Sequence, residues 1–128
     1  MTERRRVPTA AKWATTVGYS RAVRVGNHVH VAGTAAVGAD GSVVHPGDPY
    51  LQARRCLEII VDALEQLGAT PDDVVRTRMY VLNPDHWMEV GRAHGEVFSK
   101  ARPATTMVFT GFIDPDMLVE IEAEAIIG

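Results

Sequence analysis

The sequence predicts an α+β domain in which a mixed sheet is covered on one face by two helices. Three features predict it. Residues 118–127 alternate strictly, with Leu118, Glu120, Glu122, Glu124 and Ile126 on one side and Val119, Ile121, Ala123, Ala125 and Ile127 on the other. An apolar stripe at helical spacing runs through Leu57, Ile60, Leu64 and Leu67. Turn dipeptides, Gly26-Asn27 and Asp40-Gly41, separate short extended runs.

In chain order, residues 1–17 read as an N-terminal arm, charged first and then small and polar, and residues 18–128 as one domain. Residues 22–25 and 28–32 form a hairpin about Gly26-Asn27, with Val29 and Val31 on one face and His28, His30 and Ala32 on the other. Gly33 ends that strand, at a place where a backbone or ligand can approach closely. A short strand is expected over residues 42–45, after the Asp40-Gly41 turn. Asp48 caps the first helix, Pro49 fits its first position and Gly68 stops it. Cys56 lies beside the apolar stripe, which makes packing its role.

Residues 74–82 read as a strand with Val75, Thr77, Met79 and Val81 on one side and Arg76, Arg78, Tyr80 and Leu82 on the other. A second helix runs from about Asp85 to Ser99 with the stripe Trp87, Val90, His94, Val97 and Phe98; His94 on that stripe reads as a core or interface residue. Pro103 resets the chain to extended, and residues 102–128 read as a closing hairpin about Asp114-Pro115-Asp116. The sheet face opposite the helices would then carry Arg76, Arg78, Tyr80, the glutamate row, His28 and His30. Its mixed content points to a partner subunit.

A chain of 128 residues is one domain and can bury a core without a metal or disulfide staple. One cysteine, Cys56, excludes an internal disulfide and fits a reducing compartment. The net charge of −3 argues against nucleic acid as the main partner, and no interleaved basic and aromatic stripe is present. Arg4, Arg5 and Arg6 precede no apolar segment of signal type, and no run approaches membrane-spanning length. The expected location is the cytoplasm. His28 and His30 share a face, but spacing offers no third ligand, so neither a metal nor another cofactor is expected.

The segment GYSRAVRVGNHVHVAGT, residues 18–34, resembles the amino-terminal signature of the YjgF/RidA family, and RPATTMV with LVEIEAEAI resembles its carboxy-terminal signature. The resemblance implies a chorismate-mutase-like subunit. Three such subunits form a homotrimeric barrel with small-molecule clefts between them. It also implies hydrolysis of reactive imines and enamines such as 2-aminoacrylate. Some members carry an endoribonuclease or translation-inhibitor label.

Matched position by position, the family's cleft residues fall on Tyr19, Gly33 and Glu120, the last as the carboxylate that handles water. The proline before the tyrosine is missing, and the helix asparagine falls on Gly91. The substrate-binding arginine is replaced by Thr105, and the cysteine two positions on by Met107. A guanidinium grips a carboxylate through two charge-assisted bonds, whereas one neutral hydroxyl gives up about 1.5–3 kcal/mol of that interaction.

The expectation is therefore an enzyme acting on an imine, enamine or related metabolite other than 2-aminoacrylate. Glu120 is its catalytic residue, and Tyr19, Gly33, Thr105, Thr106 and Met107 bind the substrate. The pocket should be more apolar than the family's usual one, with Met107 and Phe109 on the Thr105 side. Arg76, Arg78 and Arg102 are the cations that would replace the missing arginine. The alternative is a non-catalytic ligand-binding or chaperone-like trimer. RNA cleavage is a third, weaker reading.

Overall fold

A computed structural model describes residues 3–128. Its elements are β1 (Arg4–Val7), α1 (Ala14–Val17), β2 (Ala22–Val25), β3 (His28–Ala35), α2 (Pro49–Gln66), β4 (Val74–Val81), α3 (Trp87–Phe98), β5 (Ala104–Phe109) and β6 (Val119–Ile126). The strands make one six-stranded mixed sheet in the order β1-β2-β3-β6-β4-β5. Helix α2 packs across β3 and β6, with α3 beside it.

The helix-covered face is built by alternation. Val29 and Val31 from β3, Met79 and Val81 from β4, and Val119, Ile121, Ala123 and Ala125 from β6 are all buried against Leu57, Ile60 and Leu64 of α2. The predicted caps of α2 are present: Asp48 accepts a hydrogen bond from the Leu51 amide, and Pro49 occupies the first turn. Gly68 follows the helix at φ +84°, where a side chain would be strained. Cys56 is fully buried, and burial pushes its thiol pKa well up, which keeps it an unreactive core group.

Several expectations are corrected. The closing segment is not a hairpin: β5 and β6 do not pair with each other. Strand β5 lies parallel to β4 at the sheet edge, and β6 inserts between β3 and β4, antiparallel to both. The β4–α3–β5 crossover imposes this, since parallel neighbours need a helix between them. Strand β3 does not end at Gly33 but continues to Ala35 through a bulge. Another irregularity at Val74/Arg76 turns Val74 inward and leaves Val75 44% exposed, opposite to simple alternation.

Residues 42–45 form no strand; one isolated bridge, Val37 to Val43, remains. Helix α3 is preceded by a 3₁₀ turn, Pro84–His86, capped by Asn83, and Trp87 points outward at 56% exposure. Within the segment read as an arm, Arg4–Val7 pairs with β2 as an edge strand and Ala14–Val17 is one helical turn.

Gln52, fully buried in the first turns of α2, ties down the approach to β6. Its Oε1 accepts from the Leu118 amide at 2.9 Å, and its Nε2 donates to the Asp116 carbonyl at 2.9 Å and the His45 carbonyl at 3.3 Å. Replacing Gln52 by Leu leaves those backbone groups unpaired, at a cost of about 1–3 kcal/mol. Urea unfolding should show a lowered midpoint at unchanged slope.

Candidate functional site

The open face of the sheet carries the glutamate row as alternation requires, and the three carboxylates are not equivalent. Arg78 Nη1 lies 3.3 Å from Glu124 and 3.5 Å from Glu122. The Tyr80 hydroxyl donates to Glu122 at 2.8 Å. Cross-strand register produces these partnerships, since Arg78 stands opposite Glu122 and Arg76 opposite Glu124. Glu120 has Tyr80 opposite it on β4, but the hydroxyl there is committed to Glu122. Its side chain lies instead against the β3 bulge.

That bulge sets Ala32 and Gly33 against one residue of β6, between the pairs Val31–Ala123 and Thr34–Ile121. A Cβ on residue 33 would meet the Glu120 carboxylate, which would have to shift from its present place to make room. The group that approaches Gly33 closely is thus the protein's own carboxylate. Glu120 is half-buried. Burial raises its pKa, nearby Arg21 offsets part of that rise, and Glu122 adds to it.

Arg21 is a residue of this groove that the sequence reading missed. Its Nη1 donates to the Gly33 carbonyl at 2.7 Å and to Thr34 Oγ1 at 2.8 Å, and reaches the Ala32 carbonyl at 3.4 Å. Its Nη2 donates to Thr9 Oγ1 at 3.2 Å. The guanidinium clasps the bulge and also lies 5.9 Å from the centre of the Tyr19 ring. Tyr19 is held in turn by Trp13, whose indole N–H donates to its hydroxyl at 3.0 Å. The signal in the sequence was a cation, Arg21, two residues after Tyr19 and directly before β2.

Tyr19, Gly33 and Glu120 line one solvent-open groove together with Trp13, Arg21 and Ile113. Thr105, Thr106 and Met107 do not. They lie on β5, separated from β6 by β4. Thr106 Oγ1 accepts from Arg76 at 2.8 Å. Thr105 stands opposite Thr77 and turns to the helix side, where Met107 packs against the core margin. The proposed substitutes for the missing arginine are engaged or remote from Glu120: Arg78 with Glu122 and Glu124, Arg76 with Thr106, and Arg102 at the end of α3, where its amide donates to the Phe98 carbonyl. The cation beside Glu120 is Arg21.

Among the described residues no group of three histidine, cysteine or carboxylate side chains is placed to hold a metal. His28 and His30 stack with ring centres 6.5 Å apart on the exposed face. No helix among the described residues is long and apolar enough to cross a membrane.

Fold and site together define a small α+β domain with a six-stranded mixed sheet, two long helices on one face and a half-buried carboxylate on the other. The family described as Endoribonuclease L-PSP matches residues 9–127. An uncharacterized protein of Streptomyces coelicolor is 40% identical over 125 residues, covering 97% of this chain and 92% of its own. A RutC family protein of Pyrococcus abyssi is 32% identical over 107 residues, covering 84% of each chain. A Mycobacterium tuberculosis structure, described as a member of the highly conserved YjgF/YER057c/UK114 family, superposes with a TM-score of 0.87 at 45% identity. It covers 98% of this chain and 100% of its own. The chain belongs to this YjgF/L-PSP family.

The raised pKa of Glu120 has a consequence for stability. A carboxyl whose folded-state pKa lies above its unfolded value stabilises the fold fully only while protonated, below the unfolded value. That contribution is lost as pH rises through the folded value. Near pH 7 the ionised group therefore opposes folding, and Glu120→Gln should be at least as stable as the parent, with the gap closing toward about pH 4. Thermal unfolding at both pH values checks this; a variant less stable than the parent near neutrality contradicts it.

Proposed function

We propose that this protein is a RidA-like enzyme that hydrolyses an imine, enamine or related small metabolite other than 2-aminoacrylate, in a cleft shared by neighbouring chains of a homotrimer. The observation that carries the proposal is Glu120, half-buried against Gly33 with its pKa raised, while its row partners are tied to Arg78 and Tyr80. A carboxylate with no ion pair among the described residues, its basicity raised by burial and only partly offset by Arg21, suits general-base work on water.

In this reading the ionised Glu120 takes a proton from water as the water oxygen bonds to the C=N carbon. Glu120 passes that proton to the imine nitrogen as the C=N π pair moves onto it, giving a carbinolamine. The hydroxyl proton is then moved through Glu120 to the nitrogen, the C–N bond breaks as the C=O bond forms, and a carbonyl compound and ammonia leave. Arg21 keeps the Gly33 loop closed on Glu120, and Tyr19 orients the substrate. Thr105, Thr106 and Met107 supply the second wall. They lie across β4 from the groove of their own chain, so a neighbouring chain of the trimer that set its β5 edge against the groove would complete the site. The exposed Val108 and Phe109 on that edge fit a subunit contact.

The presence of Thr105 where the family's arginine falls favours one other reading, a trimer that binds ligand without turnover. Imines generated by an amino acid oxidase from apolar amino acids test the two. Hydrolysis should be accelerated by the parent, and Glu120→Gln should lower kcat/KM by about 10²–10⁴-fold. The parent's rate should rise with pH through the raised Glu120 value, and the variant should lose that limb. Ligand binding with no acceleration, or equal rates in the variant, would favour the binding module. Decay of 2-aminoacrylate as fast as with an arginine-bearing relative would overturn the substrate assignment.

A further inference from the structure

Behind Thr105 lies a chain of hydroxyls that ends on a histidine. Thr105 Oγ1 is 2.8 Å from Thr77 Oγ1, and Thr77 Oγ1 is 2.7 Å from His94 Nε2. Thr77 is fully buried and Thr105 is exposed at the sheet edge, so the chain runs from under α3 to the surface. Thr105 Oγ1 has a second internal neighbour, the Pro103 carbonyl, at 3.1 Å. His94 packs on Phe98 with ring centres 4.7 Å apart. The groups against the imidazole are thus Thr77 from β4 and Phe98 from its own helix, with Thr105 of β5 one hydroxyl further. Burial holds its pKa below the ordinary histidine value, so the ring is neutral near pH 7.

A threonine hydroxyl has one proton and two lone pairs. If His94 carries its proton on Nε2, the ring donates to Thr77, Thr77 donates to Thr105, and Thr105 donates to the Pro103 carbonyl. If Nε2 is bare, Thr77 donates to the ring and Thr105 donates to Thr77. In both arrangements the Thr105 proton is used internally, and at least one lone pair of its oxygen is left for the open side.

We infer that Thr105, set by Thr77 and His94, presents a hydrogen-bond acceptor to the cleft and selects ligands carrying an N–H donor there, such as an amide, a neutral imine or an ammonium group, over carboxylates. An arginine at this position would offer only donors and a positive charge, the opposite recognition. Thr105 is then a specificity-determining residue, and Thr77 and His94 are positioning residues. The inference rests on the proposal that the Thr105 edge forms one wall of the substrate cleft, and it names the chemistry that this wall accepts.

The test compares propionamide with propionate, which share a shape and differ in donor and charge. Binding is followed by chemical shifts of the Thr105 and Met107 methyl groups in the full-length protein. The amide is expected to bind at this site at least tenfold more tightly than the carboxylate. Thr105→Val should erase the preference, and Thr105→Arg should reverse it. Thr77→Val, which keeps the shape and removes the relay, should reduce it at least threefold, and His94→Gln, whose amide N–H can donate to Thr77, should retain it.

Measuring the preference also in Glu120→Gln separates this inference from the hydrolytic reading: hydrolysis and any repulsion of propionate by the Glu120 carboxylate are lost there, while the part of the preference set by Thr105 should remain. Equal or tighter binding of propionate to the parent overturns the inference. So does no shift at Thr105 with propionamide, a preference unchanged in Thr105→Val, or one unchanged in Thr77→Val.

Discussion

The β3 bulge at Ala32 and Gly33, clasped by Arg21, is the constraint on which the rest of the site depends. Two residues of β3 share the space opposite one residue of β6. Val29 and Val31 therefore bury on one side of the bulge, while Thr34 and Ala36 recover the same face beyond it. The bulge brings backbone, with no side chain, up to Glu120. Bulged backbone leaves ladder groups to be paired elsewhere, and the Arg21 guanidinium accepts that task with bonds to the Gly33 carbonyl and Thr34 hydroxyl. Arg21 thus acts twice, holding the loop shape and supplying the positive charge that tempers the effect of burial on Glu120.

The arrangement has a thermodynamic logic. Glu122 and Glu124 are satisfied by Arg78 and Tyr80, which makes their part of the open face stable and chemically quiet. Among the described residues Glu120 has no such partner, and burial raises its pKa. A carboxylate held in that state is a cost to the fold, and in the proposed reading that cost is the counterpart of its use as a base.

Much of this was legible in the chain. The β6 alternation, the capped helix α2 and the Gly26-Asn27 hairpin depend on local periodicity and turn chemistry, and each formed as read. Glu120 could be set apart from Glu122 and Glu124 only through the family signature, because the three look alike in sequence. What failed was non-local. Nothing local tells residues 102–110 to pair with β4 in parallel instead of with β6, and two bulges reset the alternation at Gly33 and Val75. Arg21 escaped notice because its partners, Thr9, Gly33 and Thr34, come together only after the sheet forms. Thr105 was legible as a missing arginine, but its hydroxyl chain to His94 was not, since Thr77 lies on a different strand.

The two parts of the proposed site stand on opposite sides of β4. Tyr19, Gly33, Arg21 and Glu120 form one part, and Thr105 and Met107 form the other. The account requires a neighbouring chain to bring them together. Light scattering on the purified protein measures this most directly. The account predicts a single species of three times the 13.9 kDa chain mass. A stable monomer of 13.9 kDa at working concentrations would contradict it, because each groove would then have one wall.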